Sequence, residues 1–150
     1  MEHTAVPSAA GTVSHGIFRV ARLHRMLAGQ LLRKVGLHPG QELLMMHLWA
    51  VGPQRQADLI AVLGSDSATM TRTVQRLERA GFVRRRPSQD DRRAVVIEPT
   101  AASQALRAQV EDIWTQLEEA TVRGLDDEER AETLRVLRRL EAGLTGAGDP

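Results

Sequence analysis

The chain carries 20 basic and 19 acidic side chains over 150 residues, a net charge of +1, and no cysteine. Without thiols it can hold no disulfide staple, thiolate metal site or cysteine redox switch. No apolar run approaches the roughly 20 residues of a membrane span and no secretory signal is visible, so a cytoplasmic protein without a membrane partner is expected.

A chain of this length makes one domain, or one domain with an appended helical part. Residues 1–12 include Pro7, Ser8 and Gly11, show no periodicity and read as a flexible tail. From Val13 to Val35, the residues Ile17, Val20, Ala21, His24, Leu27, Ala28 and Leu31 recur at helical spacing. The pattern predicts an amphipathic helix of about six turns, ended by Gly36. A second helix is predicted over Gln41–Ala50, with Pro39 near its start and Gly52-Pro53 as its stop. Leu43, Leu44, Met46, Leu48 and Trp49 make it apolar nearly all round, as in a helix buried on several sides.

Next comes a helix-turn-helix pattern. Gln56–Leu63 is the first helix and Gly64-Ser65 the turn. Asp66 caps a second helix that runs to Arg79, where its carboxylate suits the positive helix end. Met70, Val74 and Leu77 form one buried stripe, which should pack against Leu59, Ile60 and Leu63. Ser67, Ala68, Thr71, Arg72, Gln75 and Arg79 point away from that stripe. Small residues let such a helix approach a major groove, where Arg and Gln bond guanine and adenine edges. Gly81 is a left-handed cap that ends it.

A basic ribbon follows. Phe82-Val83 and Ala94–Ile97 are strand-like runs around the turn-rich Pro87–Asp91. Residues 72–93 hold eight arginines against Glu78, Asp90 and Asp91, a local charge of +5 in a chain of +1. Arginine is abundant throughout, so its clustering carries the argument: the positive surface is concentrated where a polyanion would bind. In a strand, Arg84 and Arg86 share a face and Arg85 takes the other, which leaves one of the three for structure. After Thr100 a long helix bears Leu106, Val110, Ile113, Trp114, Leu117 and Thr121 on one face. Gly124-Leu125 break it. Asp126 then caps a last helix with Leu134, Leu137, Leu140 and Leu144 as its stripe, and a small-residue tail closes the chain.

Thr71-Arg72, Arg76–Val83 and Asp91–Thr100 together resemble the signature of the MarR family of winged helix-turn-helix regulators. The resemblance runs from about Val13 to Leu144, and its most specific part is Asp91-Arg92-Arg93 followed by a strand ending in Thr100. Pro99, Ser88 and Ala68 depart from the usual Leu, Asp and Ser or Thr. The resemblance implies a mainly α fold with a small β-wing, in which N- and C-terminal dimerisation helices flank the winged helix-turn-helix. In residue ranges, 13–37 and 101–145 would be the dimerisation region, 38–100 the DNA-binding domain and 146–150 a tail. The apolar stripes of the end helices alone would also suit a monomeric bundle. A two-fold dimer would set two recognition helices about 34–36 Å apart, one DNA turn.

The expected function is a double-stranded DNA-binding transcriptional repressor, nucleoid-associated and homodimeric. The same fold could instead serve as a protein-interaction module. Ser67, Thr71, Arg72 and Gln75 are the base-facing candidates, and Ala68 is a DNA-binding position on the same face. Arg76 has two readings: a phosphate contact, or an ion pair with Glu42 or Asp58. Arg84 and Arg86 are phosphate candidates, which position rather than specify. By resemblance Arg93 is the wing-tip residue of the minor groove, where potential is most negative when the groove is narrow. Asp91 would steady it by a charge-assisted bond. Met45, Met46, Trp49 and Trp114 are candidates for a small aromatic effector, although apolar residues at helical spacing are more often plain core. His24, His38 and His47 are too widely spaced for a metal site. No catalytic motif or cofactor is expected: there is no Gly-rich phosphate loop and no His-Glu metal motif.

Overall fold

The computed structural model describes residues 10–148. In chain order these form helices α1 (Thr12–Arg33) and α2 (Gln41–Val51), strand β1 (Gln54–Arg55), helices α3 (Gln56–Val62) and α4 (Ser67–Arg79), strands β2 (Val83–Pro87) and β3 (Val95–Pro99), and helices α5 (Ser103–Thr121) and α6 (Asp127–Ala147). The fold class expected from the sequence, mainly α with a small β-wing, is the one observed. Two compact units divide the chain, one up to Leu117 and one from Glu118 on.

The first unit is built around α2. Leu44, Met45 and Leu48 are fully buried there, in one cluster with Leu32 of α1, Leu59 of α3, Val74 and Leu77 of α4, Ile97 of β3, and Val110 and Leu117 of α5. Ile60 and Leu63 pack partly buried against the same cluster, as their spacing predicted. The exceptions on α2 are Leu43, which is 41% exposed, and Val51 at its end. The stripe predicted on α1 is only half buried: Leu31 is inside, whereas Ile17 and Val20 are exposed.

Two glycines make the helix-turn-helix possible. Gly64 (φ 60) follows α3 and Gly81 (φ 82) follows α4, both in the left-handed region that side chains resist. Behind Gly81 the Phe82 amide donates to the Leu77 carbonyl at 2.9 Å and the Gly81 amide to the Glu78 carbonyl at 3.0 Å. This pairing satisfies the free carbonyls of the helix end and turns the chain into the wing. Thr100 then fastens the end of β3 to the same corner. Its hydroxyl donates to the Gly81 carbonyl at 2.6 Å and its amide to the Phe82 carbonyl at 3.1 Å. The buried Ser103 hydroxyl donates to the Thr100 carbonyl (2.7 Å) and accepts the Trp49 indole N–H (3.0 Å), tying the start of α5 to α2.

The sheet has three antiparallel strands in the order β1-β3-β2. The ribbon predicted from sequence is two-stranded; β1 is the addition. It is two polar residues long, pairing Gln54 with Ile97 and Arg55 with Val96. So short a polar strand has no alternation to announce it. Pro99, at the end of the central strand, lies beyond this pairing and is flanked only by Val83 of β2, so its missing amide donor breaks no ladder on the β1 side.

The second unit holds the end of α5 and all of α6. Asp126 accepts the Glu129 amide at 2.8 Å while Glu129 accepts the Asp126 amide at 3.2 Å, a reciprocal cap. No described residue of α6 is buried. The ends of the chain differ slightly from expectation. Helix begins at Thr12, inside the predicted N-terminal tail, and continues to Ala147, inside the predicted C-terminal one. Gly146 and its small neighbours lower helix propensity without breaking a helix that is already propagating. Residues 1–9 and 149–150 of those two tails lie outside the described residues.

Candidate nucleic-acid interface

The α4 helix presents the candidate reading face. Asp66 holds its start: one carboxylate oxygen accepts the Thr69 amide at 2.7 Å and the other the Thr69 hydroxyl at 2.8 Å. These bonds, the amide first, hold the Asp66 carboxyl below its ordinary range. Met70, Val74 and Leu77 anchor the inner side, all at most 2% exposed. Ser67, Ala68, Arg72, Gln75 and Arg79 lie on the exposed side, as predicted, and Arg76 is exposed with them. Thr71 is half-buried; its hydroxyl donates to the Ser67 carbonyl (2.9 Å) and accepts from the Gln56 side-chain amide (3.2 Å). Gln56 is a partner that the helical pattern of α4 could not reveal, because it lies on α3.

Of the two sequence readings of Arg76, the ion pair is absent among the described residues. Glu42 has another role: its carboxylate accepts the Gly40 amide at 2.9 Å at the start of α2. Its side chain is buried, and that burial raises its pKa above the ordinary carboxylate value. Arg76 instead borders a small cavity of about 300 Å³ with His38, Gln41 and Phe82.

The wing is a β2–β3 hairpin whose loop is closed by the Ser88 amide on the Ala94 carbonyl at 2.9 Å. Ser88 is buried, and its hydroxyl accepts the Asp90 amide at 3.3 Å. A short side chain thus fills this buried position of the loop. Arg92 and Arg93 are exposed on the loop. Asp91 does not grip the Arg93 guanidinium, which corrects the expected side-chain bond. Its carboxylate accepts the Arg93 backbone amide at 3.0 Å, an Asx-type turn bond that shapes the loop and leaves the guanidinium unengaged by Asp91.

The strand arginines are paired. Arg84 and Arg86 both bind Glu98, through Nε at 2.6 and 3.0 Å. On the other face Arg85 binds Glu78 of α4, with its Nη2 at 2.9 Å from Oε1. These arginines, Arg86 and Arg84 for Glu98 and Arg85 for Glu78, hold both carboxyls below their ordinary range. Arg85 is therefore the structural member of the trio, tying wing to helix. Sequence reasoning missed both acidic partners. Glu98 stands directly across from Arg84 in the strand register, but that register depends on a loop whose conformation no pattern supplied.

The residues proposed for an effector do not form an open site. Met45 is fully buried, and Met46, Trp49 and Trp114 pack partly buried against the core. A separate open groove of about 670 Å³ runs along α1, lined by Phe18, Arg22, Arg25, Met26, Gly29 and Gln30 among others. Among the described residues no three His, Asp or Glu side chains converge as a metal site would require.

Residues 37–95 match the MarR family model. The HTH-type transcriptional regulator YwoH of Bacillus subtilis is 35% identical over 83 residues, 55% of this chain and 61% of the relative. The HTH-type transcriptional repressor NicR of Pseudomonas putida is 34% identical over 97 residues, 65% of this chain and 61% of that protein. The chain thus spans about three fifths of the length of these relatives. Among solved structures, a mutant MarR from E. coli complexed with operator DNA superposes with a TM-score of 0.79 at 22% identity, covering 85% of this chain and 92% of the other. Bordetella bronchiseptica BpsR, described with regulation of its DNA binding by 6-hydroxynicotinic acid, gives 0.81 at 22%, covering 89% and 96%. At that identity these structures show the fold alone. Sequence match and fold agree, and the chain carries a MarR-family winged helix-turn-helix domain over residues 37–95.

Proposed function

We propose that this chain is a sequence-specific double-stranded DNA-binding transcriptional regulator that works as a homodimer and represses. The observation that carries this reading is the pairing of two exposed probes on one core. The polar face of α4 and the arginine-tipped wing meet at the corner closed by Gly81 and Thr100. The α4 face enters a major groove, with Ser67, Ala68, Thr71, Arg72 and Gln75 toward the bases and Arg76 toward a phosphate. Arg93 enters the adjoining minor groove on the loop that Asp91 shapes, and Arg84 and Arg86 hold the backbone beside it. Residues 38–100 form the reading domain, and 13–37 with 101–145 join the two copies. NicR, named a repressor, and the MarR fold on operator DNA support both parts of this reading.

A small aromatic effector acts, in this reading, between the dimer helices and the DNA-reading part at Met45, Met46, Trp49 and Trp114; BpsR, described with regulation of its DNA binding by 6-hydroxynicotinic acid, is a precedent for ligand regulation but not for the site. Such a ligand releases DNA only by binding the released state better than the bound one. The fully buried Met45 would have to move to admit it. The test of function is selection of bound duplexes from a random pool. The expected product is a pseudo-palindrome with half-sites one helical turn apart. A pool that never enriches would remove the DNA-binding reading in favour of a protein-interaction module.

A further inference from the structure

Glu98 is an acidic residue in a basic part of the molecule, among the wing arginines, and the DNA-binding reading gives it no role. It stands in β3 opposite Arg84, and Arg86 shares that face of the sheet two residues further along β2. Each of its oxygens takes one cation. Oε1 accepts Arg84 Nε at 2.6 Å, and Oε2 accepts Arg86 Nε at 3.0 Å. The Glu98 side chain is only 14% exposed, against 73% for Arg84 and 38% for Arg86. The carboxylate therefore lies inward and the guanidiniums outward, each held from its inner edge. Donors on the outer edges stay available to a phosphate, which matches guanidinium geometry well.

We infer that Glu98 is a specificity-determining residue: it binds Arg84 and Arg86 into one two-pronged phosphate clamp that favours a correctly docked duplex over an arbitrary one. The inference rests on the proposed DNA-binding function. Two effects act together. The trio carries a net charge of +1 rather than +2, which weakens the pull on any duplex, since non-specific affinity follows the number of neutralised phosphates. The two guanidiniums are also ordered before DNA arrives, so a duplex in register gains both contacts without the entropy cost of fixing two long side chains. Without the carboxylate, two like charges on one strand face would separate and seek phosphates independently.

The test is Glu98→Gln, which keeps shape and removes charge. Affinity is measured across a salt titration on two duplexes of equal length: one enriched by the unsubstituted protein, one a scramble of it. The scrambled duplex should bind more tightly, with a log–log salt slope steeper by about 1. The enriched duplex should gain less, so that the ratio of the two affinities falls about tenfold through loss of the ordered phosphate contacts. In an Arg84→Ala/Arg86→Ala background the same substitution should leave the ratio unchanged. Equal gains on both duplexes would reduce Glu98 to a simple charge effect and overturn the inference, as would the same fall in the double-alanine background. If the unsubstituted protein already fails to prefer any duplex, the DNA-binding reading itself falls, which is a different result from a normal protein with an indifferent Glu98.

Discussion

In the proposed complex, Arg93 and Gln75 separate the two kinds of work a side chain can do on DNA. Arg93 is exposed at the wing loop and Asp91 holds only its backbone, so its charge is available to a duplex. Arg93→Ala should weaken binding and reduce the log–log salt slope by about 1, the loss of one neutralised phosphate. Gln75 carries no charge. Gln75→Ala should leave the slope alone and relax preference at one base pair, at a cost of about 1–3 kcal/mol, in a competition assay over variant duplexes. A uniform loss across all duplexes would make Gln75 a backbone contact instead. Much at this level was legible in advance. The Asp66 cap and the outward set on α4 follow from helical spacing and cap chemistry. The partners of the wing arginines were not legible, because Glu78 lies on another element and Glu98 on another strand. Asp91 shows a different limit: a motif can place a carboxylate correctly without saying whether it binds a side chain or the backbone.

Among the elements, the corner between α4 and the wing controls how the two probes are aimed. A Cβ on Gly81 would meet nothing within 4 Å, so its only obstacle is the positive φ of 82°. Gly81→Ala should therefore cost about 1–2 kcal/mol, the penalty of left-handed backbone for a side chain, measured by urea unfolding. A larger loss would mean that the corner itself rearranges. The α2 helix offers a pH test. Burial raises the Glu42 carboxyl above its ordinary value. The stability it contributes is thus fully present below its unfolded pKa and lost as pH rises through its folded pKa. Glu42→Gln should keep the bond from the Gly40 amide and remove that dependence. Its melting temperature relative to the unsubstituted protein should rise as pH climbs through and above the ordinary carboxylate range. A constant offset would show that Glu42 titrates normally. Helices were the readable elements because apolar spacing and caps repeat along them. Strand β1 was not, since its two polar residues show no alternation and their partners in β3 lie far along the chain.

Across the molecule, the proposed function needs two kinds of partner surface. Basic residues crowd α4 and the wing, and α1, itself basic with Arg19, Arg22, Arg25 and Arg33 and no acid, shares with α6 large apolar side chains in the open. Phe18 is 68% exposed, Leu137 54% and Leu144 70%. Such residues along two long helices suit a second copy of the chain, the arrangement that the proposed dimer needs. Leu137→Arg would put charge onto the exposed apolar side of α6. It should shift sedimentation toward monomer and, because one reading head alone loses the benefit of two linked half-sites, reduce affinity for the enriched duplex at least tenfold. An unchanged sedimentation profile would place the joining surface elsewhere. The most direct measurement is the mass of the complex between the unsubstituted protein and that enriched duplex, by sedimentation equilibrium at physiological salt. Two chains on each duplex are the predicted result; one chain per duplex, or no complex, would contradict it.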